Sequence, residues 1–157
     1  MKTHSQEVVM NLRTLVAVGA VVAVVPVTAL AADSIKNPLL SAKLVGKTEV
    51  PKGDPDGSGV VNLVTTPAIG KVCWTFTSVK KIAKPTAAHI HRGKAGVAGP
   101  VVVPFGTAYK SKGCASASKS LINSILSNPG NYYVNIHNAK YPAGAIRGQL
   151  HSGPAKP

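Results

Sequence analysis

Residues 88–100 read AHIHRGKAGVAGP. Side chains alternate faces along a strand, so His89 and His91 point one way while Ile90 points the other. Two imidazoles then share one wall of a sheet whose opposite side is apolar. Gly93, Gly96, Gly99 and Pro100 follow at once and end the strand in a turn-rich loop, because glycine reaches positive φ cheaply and proline cannot continue a ladder. Outward from this stretch, residues 131–150 (NYYVNIHNAKYPAGAIRGQL) supply a second histidine strand. There Tyr133, Asn135 and His137 alternate with Tyr132, Val134 and Ile136, and the expectation is that the two stretches face each other.

The rest of the chain reads as further strands. Residues 39–50 (LLSAKLVGKTEV) form a first strand with Gly46 as a candidate bulge, and residues 51–59 (PKGDPDGSG) are turn chemistry. Asp54, Asp56 and Ser58 match the first half of an EF-hand loop, but its closing position is Thr65 instead of the bidentate Glu the cage needs. Residues 59–65 and 71–79, rich in β-branched and aromatic side chains, make a hairpin around Pro67-Ala68-Ile69-Gly70, with Trp74 and Phe76 in the core. Residues 101–105 (VVVPF) form a short buried strand and residues 106–118 a polar loop. One helix is expected over residues 118–126, capped by Ser118, with Leu121, Ile122 and Ile125 as its apolar stripe and Asn128-Pro129-Gly130 as its stop. Ser116 and Lys119 have the S-x-x-K spacing of penicillin-binding enzymes without the companion motifs that site requires. On a last strand, 145–151, Arg147, Gln149 and His151 share a face. Arg147 and Gln149 either tie loops to the sheet or line a polar pocket with the histidines.

The N-terminus has the three-part layout of a secretory signal: Lys2 and Arg13, an apolar run over residues 15–25, and Ala29-Leu30-Ala31 as the cleavage pattern. Cleavage after Ala31 leaves a linker (32–38), a β domain (39–151) and a short tail (152–157), with no transmembrane segment. Pro26 interrupts the apolar run before it reaches the length of a membrane span. Met10 offers an alternative start with a complete leader of its own. Loss of Lys2, Arg13 and Glu7 with the leader changes the formal charge from +13 to +12. No Asp or Glu follows Asp56, which removes from most of the chain the carboxylates needed for glycosidase pairs, Ser-His-Asp triads and Mg²⁺ or Ca²⁺ cages. The residual chemistry points away from an enzyme. In an exported protein such charge favours anionic cell-surface or matrix polymers or a protein partner. Nucleic acid is a poor fit, since the basic residues are scattered with little aromatic interleaving. Cys73 and Cys114 are the only cysteines. An oxidising compartment favours a disulfide between them, with a free thiol or a cysteine metal site as the alternatives.

The strings AAHIHRGKAGVAGPVVVPF, NPGNYYVNIHNAKYPAGAIRGQL and GDPDGSG, in that family's order, resemble the chordin-type (CHRD) domain in its compact secreted bacterial form, over residues 39–150. The resemblance implies an all-β Greek-key sandwich or barrel, superoxide-dismutase-like or immunoglobulin-like, with one short helix, and it implies no settled activity. Where many relatives have Glu, this chain has Ala145. The reading from sequence is therefore a secreted, non-enzymatic binding or structural module acting at the cell surface or extracellular matrix. Its expected working surface includes Arg92, Lys94, Asn135, Arg147 and Gln149, and it needs no cofactor. The competing reading is a small metalloprotein with Cu or Zn on His89, His91 and His137, since three neutral imidazoles with one open position suit either ion. Against it stand the lack of a nearby carboxylate to orient the ligands and the charges of Arg92 and Lys94.

Overall fold

The computed structural model describes residues 39–155. The expected signal peptide (1–31), the linker (32–38) and residues 156–157 of the tail lie outside the described residues. Nine strands form one sheet: β1 (Leu39–Val45), β2 (Ser58–Thr66), β3 (Lys71–Lys80), β4 (Pro85–Arg92), β5 (Val101–Pro104), β6 (Lys112–Ser116), β7 (Tyr132–Asn138), β8 (Ile146–Gln149) and β9 (His151–Ser152). One α-helix among the described residues, α1 (Lys119–Ser127), interrupts them. The spatial order is β5-β4-β7-β8-β1-β2-β3-β6, with β9 beside β1 and every pairing antiparallel. Neighbours such as β4 with β7 and β8 with β1 require the long returns of a Greek-key barrel, as expected of an all-β chain.

Alternation builds the core. Leu40, Ala42 and Leu44 of β1, Val61 and Leu63 of β2, and Val72, Trp74 and Phe76 of β3 are all buried. Ala88 and Ile90 of β4, with Val134 and Ile136 of β7, continue the same interior. The helix adds Ile122, Ile125 and Leu126, and its N-cap is Ser118, whose hydroxyl accepts the Leu121 N–H at 3.2 Å. Cys73 and Cys114 face each other across β3 and β6 and form a disulfide.

Three expectations are corrected. The first strand ends at Val45 instead of Val50, and residues 46–48 form a 3-10 turn where a bulge was expected at Gly46. The turn exists because the Gly53 N–H and the Glu49 N–H both donate to the Gly46 carbonyl, folding residues 46–53 back over β8. The polar loop 106–118 contains β6, which pairs with β3 from Lys112 to Ser116. Its Lys-Gly-Cys-Ala-Ser composition has no apolar alternation to announce a strand, so the ladder and the disulfide define it. The strand at 101–105 is only half buried: Val103 and Phe105 point inward and Val101 is exposed.

Candidate metal centre

Strands β4, β7 and β8 have a second face, turned away from the core, and it carries the polar residues of both histidine stretches. His89 lies directly opposite Asn135, His91 opposite Tyr133, and Asn135 opposite Arg147. His137, one pleat along from Asn135 on the same face, is then the diagonal neighbour of His89. One ligand atom from each of His89, His91 and His137 lies within 4.8 Å of the other two. The two histidine stretches are therefore side by side, with their imidazoles on one face.

Backbone carbonyls fix the ring tautomers. His91 Nδ1 is 2.8 Å from the Gly99 carbonyl oxygen, and His137 Nδ1 is 2.9 Å from that of Pro142. A carbonyl only accepts, so both Nδ1 atoms carry the proton and both Nε2 atoms present a bare lone pair. Burial lowers the proton affinity of all three rings. For His89, desolvation together with the adjacent His137 and His91 brings the pKa to about 4. All three are thus neutral at pH 7, the state that coordinates a metal. His91 Nε2 is buried and has no hydrogen-bond partner. His137 Nε2 stands 3.1 Å from His89 Nδ1 and 2.9 Å from Asn135 Oδ1. An N–H on His89 Nδ1 satisfies the first of these contacts.

The loop that follows β4 is held down by donors from β8. Arg147 donates to the Val97 carbonyl at 2.9 Å and to that of Lys94 at 2.8 Å, while Gln149 donates to those of Gly93 at 2.6 Å and Gly130 at 2.8 Å. The Arg147 guanidinium also lies 3.3 Å from the centroid of the Tyr133 ring, and His91 stacks on that ring. Of the two roles read for Arg147 and Gln149, tying loops to the sheet is the one these bonds describe. Asn135 and Arg147, expected on the working surface, are each 1% exposed and so form no part of the exposed surface. Arg92 and Lys94 are exposed, Arg92 over the Tyr132 ring, and neither side chain belongs to the histidine cluster.

Glu49 is the residue that sequence reasoning missed. The fold-back of residues 46–53 buries it to 4% exposure, beside Arg147 and Asn135. Its Oε2 accepts the Val50 N–H at 3.2 Å, the Asn135 side chain donates to the carboxylate, and Oε1 is left without a partner. Burial raises its pKa against the opposing pull of these donors and of Arg147. Gly144, at φ 148°, is needed here, since a Cβ there would collide with the carboxylate. A cavity of about 550 Å³ opens beside Lys47, Glu49, Lys52 and Arg147, and none of the three histidines lines it.

No curated protein and no solved structure matches this chain. The family model of the CHRD domain matches residues 40–150, which include every strand that positions the histidines. The chain belongs to the CHRD domain family.

Proposed function

We propose that this CHRD domain is an exported binding module whose ligand is a transition-metal ion held by His89, His91 and His137. The observation that carries the reading is the buried Nε2 of His91, which has no hydrogen-bond partner and belongs to a cluster in which the Nε2 of His137 is also unprotonated. A buried acceptor without a donor costs stability and calls for an explanation, and a cation supplies one. Main chain orients two of the three rings: the Gly99 and Pro142 carbonyls accept the Nδ1 N–H groups, the role a carboxylate fills elsewhere. Imidazole donors suit Cu²⁺ and Zn²⁺, with Cu²⁺ favoured by the general order of divalent affinities. Export is supported by the leader-like residues 1–31, by the Cys73–Cys114 disulfide, and by the fact that no helix among the described residues is long and apolar enough to cross a membrane.

Metal analysis by inductively coupled plasma, on protein purified without chelator, tests this. About one ion per chain is expected in the wild type and almost none in His89→Ala/His91→Ala. Sub-stoichiometric metal that survives the double substitution defeats the proposal.

A second partner, an anionic surface polymer, is favoured by a different observation. Every lysine among the described residues is exposed, whereas Glu49, one of only three described carboxylates, is buried. The outer surface is thus basic and little opposed. Protein retained on an acidic polysaccharide matrix at moderate salt and released selectively as salt rises supports this partner, and complete non-selective release at physiological salt removes it.

A further inference from the structure

The contact between His137 Nε2 and Asn135 Oδ1, 2.9 Å apart, is unusual because neither atom has a proton to give. His137 spends its proton on Pro142, and a carboxamide oxygen only accepts. Turning the amide over would place Nδ2 against His137 and remove that conflict. It would also direct Oδ1 at the Glu49 carboxylate, which is 4% exposed and draws on the Asn135 amide beside the Val50 N–H. Glu49 therefore holds Nδ2 on its own side and forces the oxygen toward the imidazoles. The oxygen thus faces His137 Nε2, on a histidine whose ligand atom lies within 4.8 Å of those of His89 and His91.

From this arrangement, and resting on the three-histidine reading above, we propose that Asn135 Oδ1 is the fourth ligand of the centre and that Glu49 is the positioning residue that aims it. The spacing fits. Four donors at about 2.0 Å from a tetrahedral ion stand about 3.3 Å apart, close to the 2.9 Å that separates His137 Nε2 from Asn135 Oδ1 and the 3.1 Å that separates it from His89 Nδ1, which becomes a donor to the ion once the His89 proton sits on Nε2 instead. A lone-pair conflict in the metal-free protein becomes a coordination pair around a cation. Filling the fourth position with protein oxygen closes the site, and closed tetrahedral sites store or structure a metal, whereas catalytic ones keep a position open for water. The inference thus assigns the centre to metal holding.

Copper titration and electron paramagnetic resonance on the full chain test the assignment. Wild type, Asn135→Ala, Glu49→Leu and Glu49→Gln are compared, with the thermal unfolding of each metal-free variant as the folding control. Asn135→Ala and Glu49→Leu are expected to weaken Cu²⁺ binding about 10- to 100-fold and to shift the copper spectrum. Glu49→Gln, which keeps an oxygen acceptor for Nδ2, should stay near wild type. Should either damaged variant fail to fold, Zn²⁺ loading of ¹³C-labelled wild type decides: the Asn135 carboxamide carbon moves if its oxygen binds and stays in place if it does not. Stoichiometric three-nitrogen copper with an unchanged spectrum in folded Asn135→Ala overturns the fourth ligand alone. Failure of wild type to bind copper at the histidines overturns the underlying reading.

Discussion

At the scale of single residues, the histidine triad was legible because a two-residue period on two strands fixes which side chains share a face, whatever the loops do between them. Glu49 was not legible. It lies 86 positions from Asn135 in sequence, and only the hydrogen bonds of residues 46–53 bring it indoors. A lone Glu ahead of Val-Pro, in a chain with few acids, carries no local mark of such a role. One prediction belongs to this scale. His89, with a folded pKa near 4, and His91 and His137, shifted in the same direction, stay neutral after their unfolded counterparts have taken up protons. The unfolded state then binds more protons, so the metal-free protein loses stability as pH falls from about 6.5 toward 4. Glu49, raised by burial, opposes this, while Arg147, though lowered by burial, keeps its charge throughout the window. Thermal unfolding between pH 7 and 4 should show a falling midpoint that flattens in the His89→Ala/His91→Ala variant. An equal slope in both would show that other groups control the acid response.

At the scale of elements, the strands were legible where alternation was strong, as in β3 and β7, and illegible where pairing alone defines them, as in β6. The disulfide was foreseen from compartment, and its structural role is to fix that unannounced strand: Cys73 and Cys114 are register partners. Closing a loop of 41 residues is worth about 4 kcal/mol in the chain-entropy model. Cys73→Ala/Cys114→Ala should lose about that much in urea unfolding, and a loss near zero would mean that the β3–β6 ladder stands without it. The loop after β4 gives a second prediction. Gly99 takes the His91 Nδ1 proton with its carbonyl and donates its N–H to the Tyr133 hydroxyl at 3.2 Å, and a Cβ there would strike the Arg92 carbonyl. Gly99→Ala must displace the loop and release the His91 ring. We expect metal affinity to fall at least 10-fold, as for loss of an outer-shell partner, and an unchanged dissociation constant would show that the ring is held by Tyr133 stacking alone.

At the scale of the molecule, composition said little about what the protein does. The dearth of carboxylates names no activity, while the order of the strands and the place where the sheet ends became visible only in three dimensions. Those ends are β5 and β6, which do not pair with each other. Side chains span the gap instead. Phe105, just beyond β5, stacks on Trp74 of β3 with centroids 4.3 Å apart, and its N–H donates to the Ala88 carbonyl next to His89. Trp74 in turn donates its indole N–H to the Lys110 carbonyl at 3.0 Å. The chain has a single tryptophan, and it sits at this clasp. Its emission is therefore a built-in gauge of whether the two free margins have parted, readable in the wild-type protein without any added dye.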